Sequence, residues 1–237
     1  LRFFQWMGIN HFVVNSLAAK QLLEKDLDYS RGFSIQTLFL PVISTSSAKE
    51  TVLQKENGYT YIGSFGIPGP GKCTEQIIRS IKELNKKGEK IKLVIAGWRA
   101  KTYLKTLGYS DDFLISYDSL DESQLQSLMS QVDLAIQLRA MNGGESSGCV
   151  PMLLYAGTPT IVSNLGSFSE YGRAVIKFNG NPNFELVEFI SSILKLHNLD
   201  DIKQEMQSYV TSHQPQQFAS ELYFMPFDVK SNQVKSN

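Results

Sequence analysis

Two clusters of side chains in this 237-residue chain, open to three readings, have types and spacings that could do chemistry. The first, Gly66-Ile67-Pro68-Gly69-Pro70-Gly71-Lys72-Cys73, has the GxxxxGK spacing of a loop that cradles nucleoside triphosphates. Cys73 stands where such a loop places the Ser or Thr hydroxyl that ligates Mg²⁺, and Pro68 and Pro70 have no N–H to offer a phosphate. Asp118 is the one strand-end aspartate available to hold the metal. A looser reading puts Lys72 at a helix N-terminus, aimed at a diphosphate. The plainest reading is a surface turn with a solvated lysine.

The second cluster, Gly144-Glu145-Ser146-Ser147-Gly148, spells the GxSxG elbow that presents a nucleophilic serine in α/β-hydrolases. Such an elbow follows its strand directly, but Ala140-Met141-Asn142-Gly143 intervene here. His197 and Asp200 follow in the order opposite to the usual acid-then-histidine, and no HGGG-type oxyanion loop is present. The third reading takes the same residues in wider context. From Leu138-Arg139 the chain runs through this glycine loop into Cys149-Val150-Pro151-Met152-Leu153-Leu154-Tyr155. It continues through Ala156-Gly157-Thr158-Pro159 into Thr160-Ile161-Val162-Ser163, with Glu170 beyond. This reads as strand, loop, a helix beginning near Ser146, a turn and another strand. The helix start offers free N–H groups, and small residues let a ligand approach the backbone. Glu145 beside an anion site makes sense if its carboxylate grips sugar hydroxyls next to a diphosphate.

The elements that would position these residues alternate regularly. Apolar, β-branched runs at 59–63, 92–97, 113–117, 134–138, 160–163 and 174–178 predict strands. Between the first two, Ile77, Ile78, Ile81 and Leu84 fall on one face of a helix. Asp121 is placed to cap a helix, with Gln124 reaching back. Residues 150–155 and 184–196 predict further helices. Strands separated by helices imply right-handed crossovers, and therefore an α/β fold with a doubly wound, mostly parallel sheet. Ligands bind such sheets at the carboxyl ends of the strands.

Residues 1–43 read as an appendage, with strands at 11–16 and 35–40 flanking a helix. The expected organisation continues with a polar linker at 44–58, a central domain at 59–197, a helical segment at 198–230 and a frayed tail at 231–237. Two aromatic clusters stand outside the pattern: Phe3, Phe4, Trp6 and Met7, and Tyr223, Phe224, Met225 and Phe227. They are read either as an interface or as satellite core.

Composition narrows the partners. Apolar residues make up 42% of the chain, enough for a sizeable core, and 23 basic residues balance 23 acidic ones. No Lys/Arg run offers a patch for nucleic acid. Cys73 and Cys149 are too few for a disulfide scaffold, and the histidines are scattered, so no metal site is expected. No apolar stretch reaches membrane-spanning length, and Gln5 and Asn10 interrupt the short apolar opening. The expectation is a cytoplasmic protein, peripheral at a membrane at most.

The run from Arg139 to Ser163 resembles the donor-site segment of retaining glycosyltransferases of the GT-B architecture, in the "group 1" family. The resemblance covers roughly residues 59–195 as a carboxyl-terminal, Rossmann-like domain. It includes Gly63 after the first strand, Lys72 opening the first helix and the Ala156-Gly157-Thr158-Pro159 turn. Residues 11–43 resemble the last elements of the acceptor-binding domain. The resemblance implies transfer of a sugar, hexosyl in type, from a nucleoside-diphosphate sugar with retention, in polysaccharide or glycoconjugate synthesis and without a metal or other cofactor. Glu145 would contact the transferred sugar and Lys72 the donor phosphates. Gly144, Ser146, Ser147, Gly148 and Cys149 would line the diphosphate site through the backbone, with Gly63, Ser64 and Arg139 beside it. A glycan or other acceptor would come through the amino-terminal domain, most of which lies outside this chain.

Two departures stand out. The second glutamate of the family's pair falls at Met152, and the basic residue that often follows the first strand's glycine is Ser64. A nucleotide- or sugar-binding module without transferase activity is the alternative from another class.

Overall fold

The stripe Ile77, Ile78, Ile81 and Leu84 lies on a helix and is buried, as its spacing requires. A computed structural model describes residues 2–28, 32–43, 51–196 and 199–225. After a short helix α1 (Arg2–Trp6), strand β1 (His11–Val14) leads through helix α2 (Leu17–Asp26) to a parallel strand β2 (Ser34–Thr37). The main sheet is then laid down by β3 (Thr60–Phe65), α3 (Thr74–Lys86), β4 (Ile91–Ala96), α4 (Ala100–Thr106), β5 (Leu114–Tyr117), α5 (Glu122–Gln131) and β6 (Leu134–Gln137). It continues through α6 (Cys149–Tyr155), β7 (Thr160–Ser163), a 3₁₀ segment (Gly166–Tyr171), β8 (Ile176–Phe178) and α7 (Leu186–Leu194). Helices α8 (Asp200–Ser212) and α9 (Pro215–Tyr223) close the described chain.

The six strands stand in the order β5-β4-β3-β6-β7-β8, and every neighbouring pair is parallel. Both faces of the sheet are covered. Ile62, Leu93, Ile95, Ile136 and Ile161 pack against α3 and α7. Their strand neighbours Tyr61, Phe65, Val94, Ala96 and Ala135 pack against α5 and α6. This period-2 division explains why the strands read as continuous apolar runs. Each buried Val, Leu, Ile or Phe among them contributes about 1.5–3 kcal/mol by leaving water. Asp121 and Gln124 form the expected capping box at α5.

The structure moves several boundaries. Strand β3 runs to Phe65, so Gly63 and Ser64 lie inside it and not beyond its end. Helix α6 begins at Cys149, three residues after the expected start, with Gly148 as its cap. The described part of the expected linker, 51–57, is anchored. Gln131 Oε1 accepts from Val52 and Leu53 N–H, Leu53 is buried, and Tyr61 OH accepts from Glu56 N–H at 2.7 Å. Residues 44–50, His197, Phe227 and the tail at 231–237 lie outside the described residues.

Helix α8 packs Met206 and Tyr209 against the main domain, and His213 O accepts from Val42 N–H at the end of the amino-terminal unit. Phe3, Trp6, Tyr223 and Phe224 are exposed by 62%, 66%, 82% and 75%, so the described residues of the two aromatic clusters are not satellite core. No helix among the described residues is long and apolar enough to cross a membrane.

Candidate functional site

The sheet order reverses between β3 and β6, and the loops leaving these adjacent strands diverge to make a crevice at their carboxyl ends. Lys72 enters from the β3 side. Residues Pro70–Lys72 form one 3₁₀ turn, followed by Cys73 in the left-handed region at φ 52°. The turn satisfies itself: Gly69 O accepts from Lys72 and Thr74 N–H, Pro70 O from Cys73 N–H, and Thr74 Oγ1 from Gly69 N–H. Those amides are therefore spent on the turn, where a triphosphate loop aims them at phosphate. Asp118 likewise accepts from Lys101 N–H at the start of α4.

Lys72 Nζ donates to Phe65 O at 3.3 Å and sits over Gly66. A Cβ on Gly66 would strike that ammonium, and its φ of 94° also suits glycine. Gly97, at the end of β4, packs directly on the Gly66 carbonyl. Burial pushes the Lys72 pKa down, opposed by Cys149; Arg139 lowers it further and Glu145 raises it. These four side chains therefore share one electrostatic neighbourhood. Burial pushes the Cys149 thiol up, against the pull of Lys72 and Arg139, so it stays protonated beside the ammonium.

Arg139 and Glu145 arrive from the loop after β6. Ser163 on β7 fixes the Arg139 backbone, accepting from its N–H at 2.8 Å and donating to its carbonyl at 3.1 Å. Ala140 N–H donates to Gly71 O at 3.0 Å, tying this loop to the Lys72 turn. The guanidinium lies over the Phe168 ring, 5.2 Å from its centre, and Nε is buried without a hydrogen bond. Glu145 Oε1 is 3.8 Å from that Nε, while the glutamate side chain is 70% exposed. The pair is too long and too open to hold the carboxylate tightly. Two cations face one exposed carboxylate, a balance suited to an anionic ligand that also carries hydroxyls.

The remaining expected residues divide between loop and strand. Gly144 (φ 77°) packs against Leu22 and Ala19 of α2, so a side chain there would collide with the amino-terminal unit. Ser146 Oγ donates to Asn15 O at 3.2 Å, Ser147 is buried, and Gly148 opens α6 at Cys149. The Ser146 hydroxyl thus points to a backbone carbonyl, and among the described residues no base that a nucleophile needs is bonded to it. Gly63 and Ser64 sit one layer below the crevice in β3, where the Phe65 ring and Val132 fill the space over Gly63.

Sequence reasoning named Gly66 only as the first glycine of the GxxxxGK spacing, and it did not single out Gly97, Ser16, Ser163 or Ser167, the last of which donates to Glu145 O at 2.7 Å. The helix-capping pattern at Ser16 was a legible signal; the others declare themselves only through long-range partners. An open cleft of about 530 Å³ adjoins the cluster, lined by Arg139, Ser163, Asn164 and the turn 179–183.

The family described as glycosyl transferases, group 1, matches residues 43–208. Among solved structures, the pneumococcal O-GlcNAc transferase GtfA, in complex with UDP and GlcNAc, aligns over 94% of this chain and 46% of its own. The TM-score is 0.68 at 9% identity. HepE of Anabaena, in complex with UDP-glucose, aligns over 89% of this chain and 63% of its own, with a TM-score of 0.64 at 12% identity. The C-terminal domain of a group 1 family protein from Francisella tularensis covers 65% of this chain and 85% of its own, with a TM-score of 0.50 at 16% identity. At such identities the likeness shows the fold. The chain spans about half the length of GtfA and less than two thirds of HepE. No curated protein matches.

Proposed function

The chain belongs to the glycosyl transferases group 1 family, and we propose that it is the donor-binding half of a GT-B enzyme using a nucleoside-diphosphate sugar. One observation carries this reading. Lys72, Arg139 and Glu145, far apart in sequence, meet at the carboxyl ends of the two strands where the sheet order reverses. Arg139 Nε is buried there without a hydrogen bond, a group that a donor oxygen would satisfy.

In this reading Lys72 and Arg139 hold the diphosphate, with the backbone from Ser146 to Cys149 along its other side. Glu145, exposed beside them, takes the hydroxyls of the sugar to be transferred. As the bond from the anomeric carbon to the diphosphate oxygen breaks, negative charge builds on the leaving group. The two cations are already in place and need no reorganisation to stabilise it. The new bond forms to an acceptor hydroxyl on the same face of the sugar, the proton of that hydroxyl passes to the departing diphosphate oxygen, and no metal takes part. The acceptor is a glycan or related molecule held by an amino-terminal domain to which residues 1–43 belong, and closure of that domain excludes water.

The crystallised relatives named with UDP or UDP-glucose make uridine diphosphate the first probe. Calorimetry with and without a chelator should give the same binding. Strict Mg²⁺ dependence together with a preference for triphosphate would return Gly66–Cys73 to the phosphate-loop reading.

A further inference from the structure

We infer that Glu170 is a positioning residue for the Glu145 loop, acting by latching the amino-terminal unit onto it. Glu170 stands on the 3₁₀ segment Gly166–Tyr171, and its two carboxylate oxygens accept from Leu17 and Ala18 N–H, each at 2.8 Å. These are the first two amides of α2, where a helix has unpaired donors and positive potential, so both bonds are charge-assisted. Held in this way, α2 presents Ser16, which accepts from Ala19 N–H at 3.0 Å and donates to Gly144 O at 3.2 Å. It also presses Leu22 against Gly144. From the other side the same 3₁₀ segment reaches the loop through Ser167, whose hydroxyl donates to Glu145 O.

The backbone on both sides of the Gly144–Glu145 peptide is therefore gripped between two bodies, and Glu170 joins them. Without that joint the loop keeps its Ser167 bond and the Ser146 bond to Asn15 O, while the α2 wall against Gly144 loosens. The consequence for donor binding rests on the role given to Glu145 above, whereas the order of the loop does not.

Amide hydrogen exchange on the full chain separates the two. In Glu170→Gln, which keeps a polar group of the same shape but loses the charge, exchange should rise about tenfold or more in 17–22 and also in 143–148, the loss of a charge-assisted bond. Exchange in β4 should stay at the wild-type rate. Ser16→Ala leaves Glu170 intact and should loosen 143–148 in the same way. Added uridine diphosphate should protect both segments in the wild type and, in Glu170→Gln, only 143–148. An effect of Glu170→Gln confined to 17–22 would overturn the inference, since the carboxylate would then merely cap α2. If Glu170→Gln also exposes β4, Ser16→Ala decides: unchanged exchange at 143–148 refutes the latch, and faster exchange supports it. Failure of uridine diphosphate to protect 143–148 in the wild type sinks the donor reading alone.

Discussion

Lys72→Met should leave the fold almost as stable as before while removing most of the affinity for a diphosphate. Methionine is close to lysine in length and carries no charge. In the free protein the ammonium makes one 3.3 Å bond, to Phe65 O. That carbonyl keeps a partner without it: the Gln137 carboxamide, oriented to donate to Phe65 O, lies 3.1 Å away. The lost bond is worth about 0.5–1.5 kcal/mol. Against it stands relief of a buried cation next to Arg139, the two influences that lower its pKa. The opposing effects are similar in size, so the melting temperature should move by no more than about 2–4 °C, which is roughly 1 kcal/mol for a chain of this length.

Binding has no such compensation. A charge-assisted hydrogen bond to the diphosphate contributes about 1.5–3 kcal/mol. Its loss weakens Kd roughly ten- to 150-fold at about 1.4 kcal/mol per decade. Titration calorimetry with uridine diphosphate and a thermal melt on the same preparation measure both quantities. Wild-type affinity in Lys72→Met would refute the placement of the diphosphate. A fall in affinity matched by a melting point lower by tens of degrees would show the lysine to be structural.

The pH dependence follows from the same lysine. Its folded pKa lies below the ordinary value of 10.5, so between the two the unfolded chain binds more protons and the free protein gains stability as pH rises. A diphosphate selects the ammonium, so its affinity should fall across that window and binding there should take up a proton. Calorimetry in buffers of different ionisation enthalpy reads this, and affinity flat up to 10.5 would contradict it. Gly97→Ala drives a Cβ into the Gly66 carbonyl and should cost about 1–3 kcal/mol while also weakening uridine diphosphate through Lys72. Gly71→Ala meets open space and serves as the control; equal behaviour of the two would discredit the close approach of the β3 and β4 ends. In the complete enzyme, Glu145→Ala should cut transfer by about 10²-fold or more, as loss of a preorganised group does. Ser146→Ala should change transfer far less, and abolition of activity by that change alone would favour a serine nucleophile.

Local pattern by itself determined the class of fold. The stripe Ile77, Ile78, Ile81 and Leu84, the Asp121–Gln124 cap and the six apolar runs depend on residues a few positions apart, so their periodicity is legible without knowing what packs on them. The positions of Lys72, Glu145 and the glycine loop at strand ends were legible for the same reason. The strand order was not, because a parallel pair is joined by hydrogen bonds between segments that share no local signal. Gly63 and Ser64 are expected at or just past the end of the first strand, yet β3 runs on to Phe65, and the Phe65 ring and Val132 leave no room for a side chain at Gly63. The sequence predicts a helix beginning near Ser146. The Ser146 hydroxyl bonds instead to Asn15 O and the Ser147 carbonyl to the Tyr171 hydroxyl, and α6 starts later. Glu170 shows the division most plainly: sequence could place a carboxylate beyond β7. Only the folded chain brings the first amides of α2 within 2.8 Å of it, because that contact joins residues more than 150 positions apart in sequence.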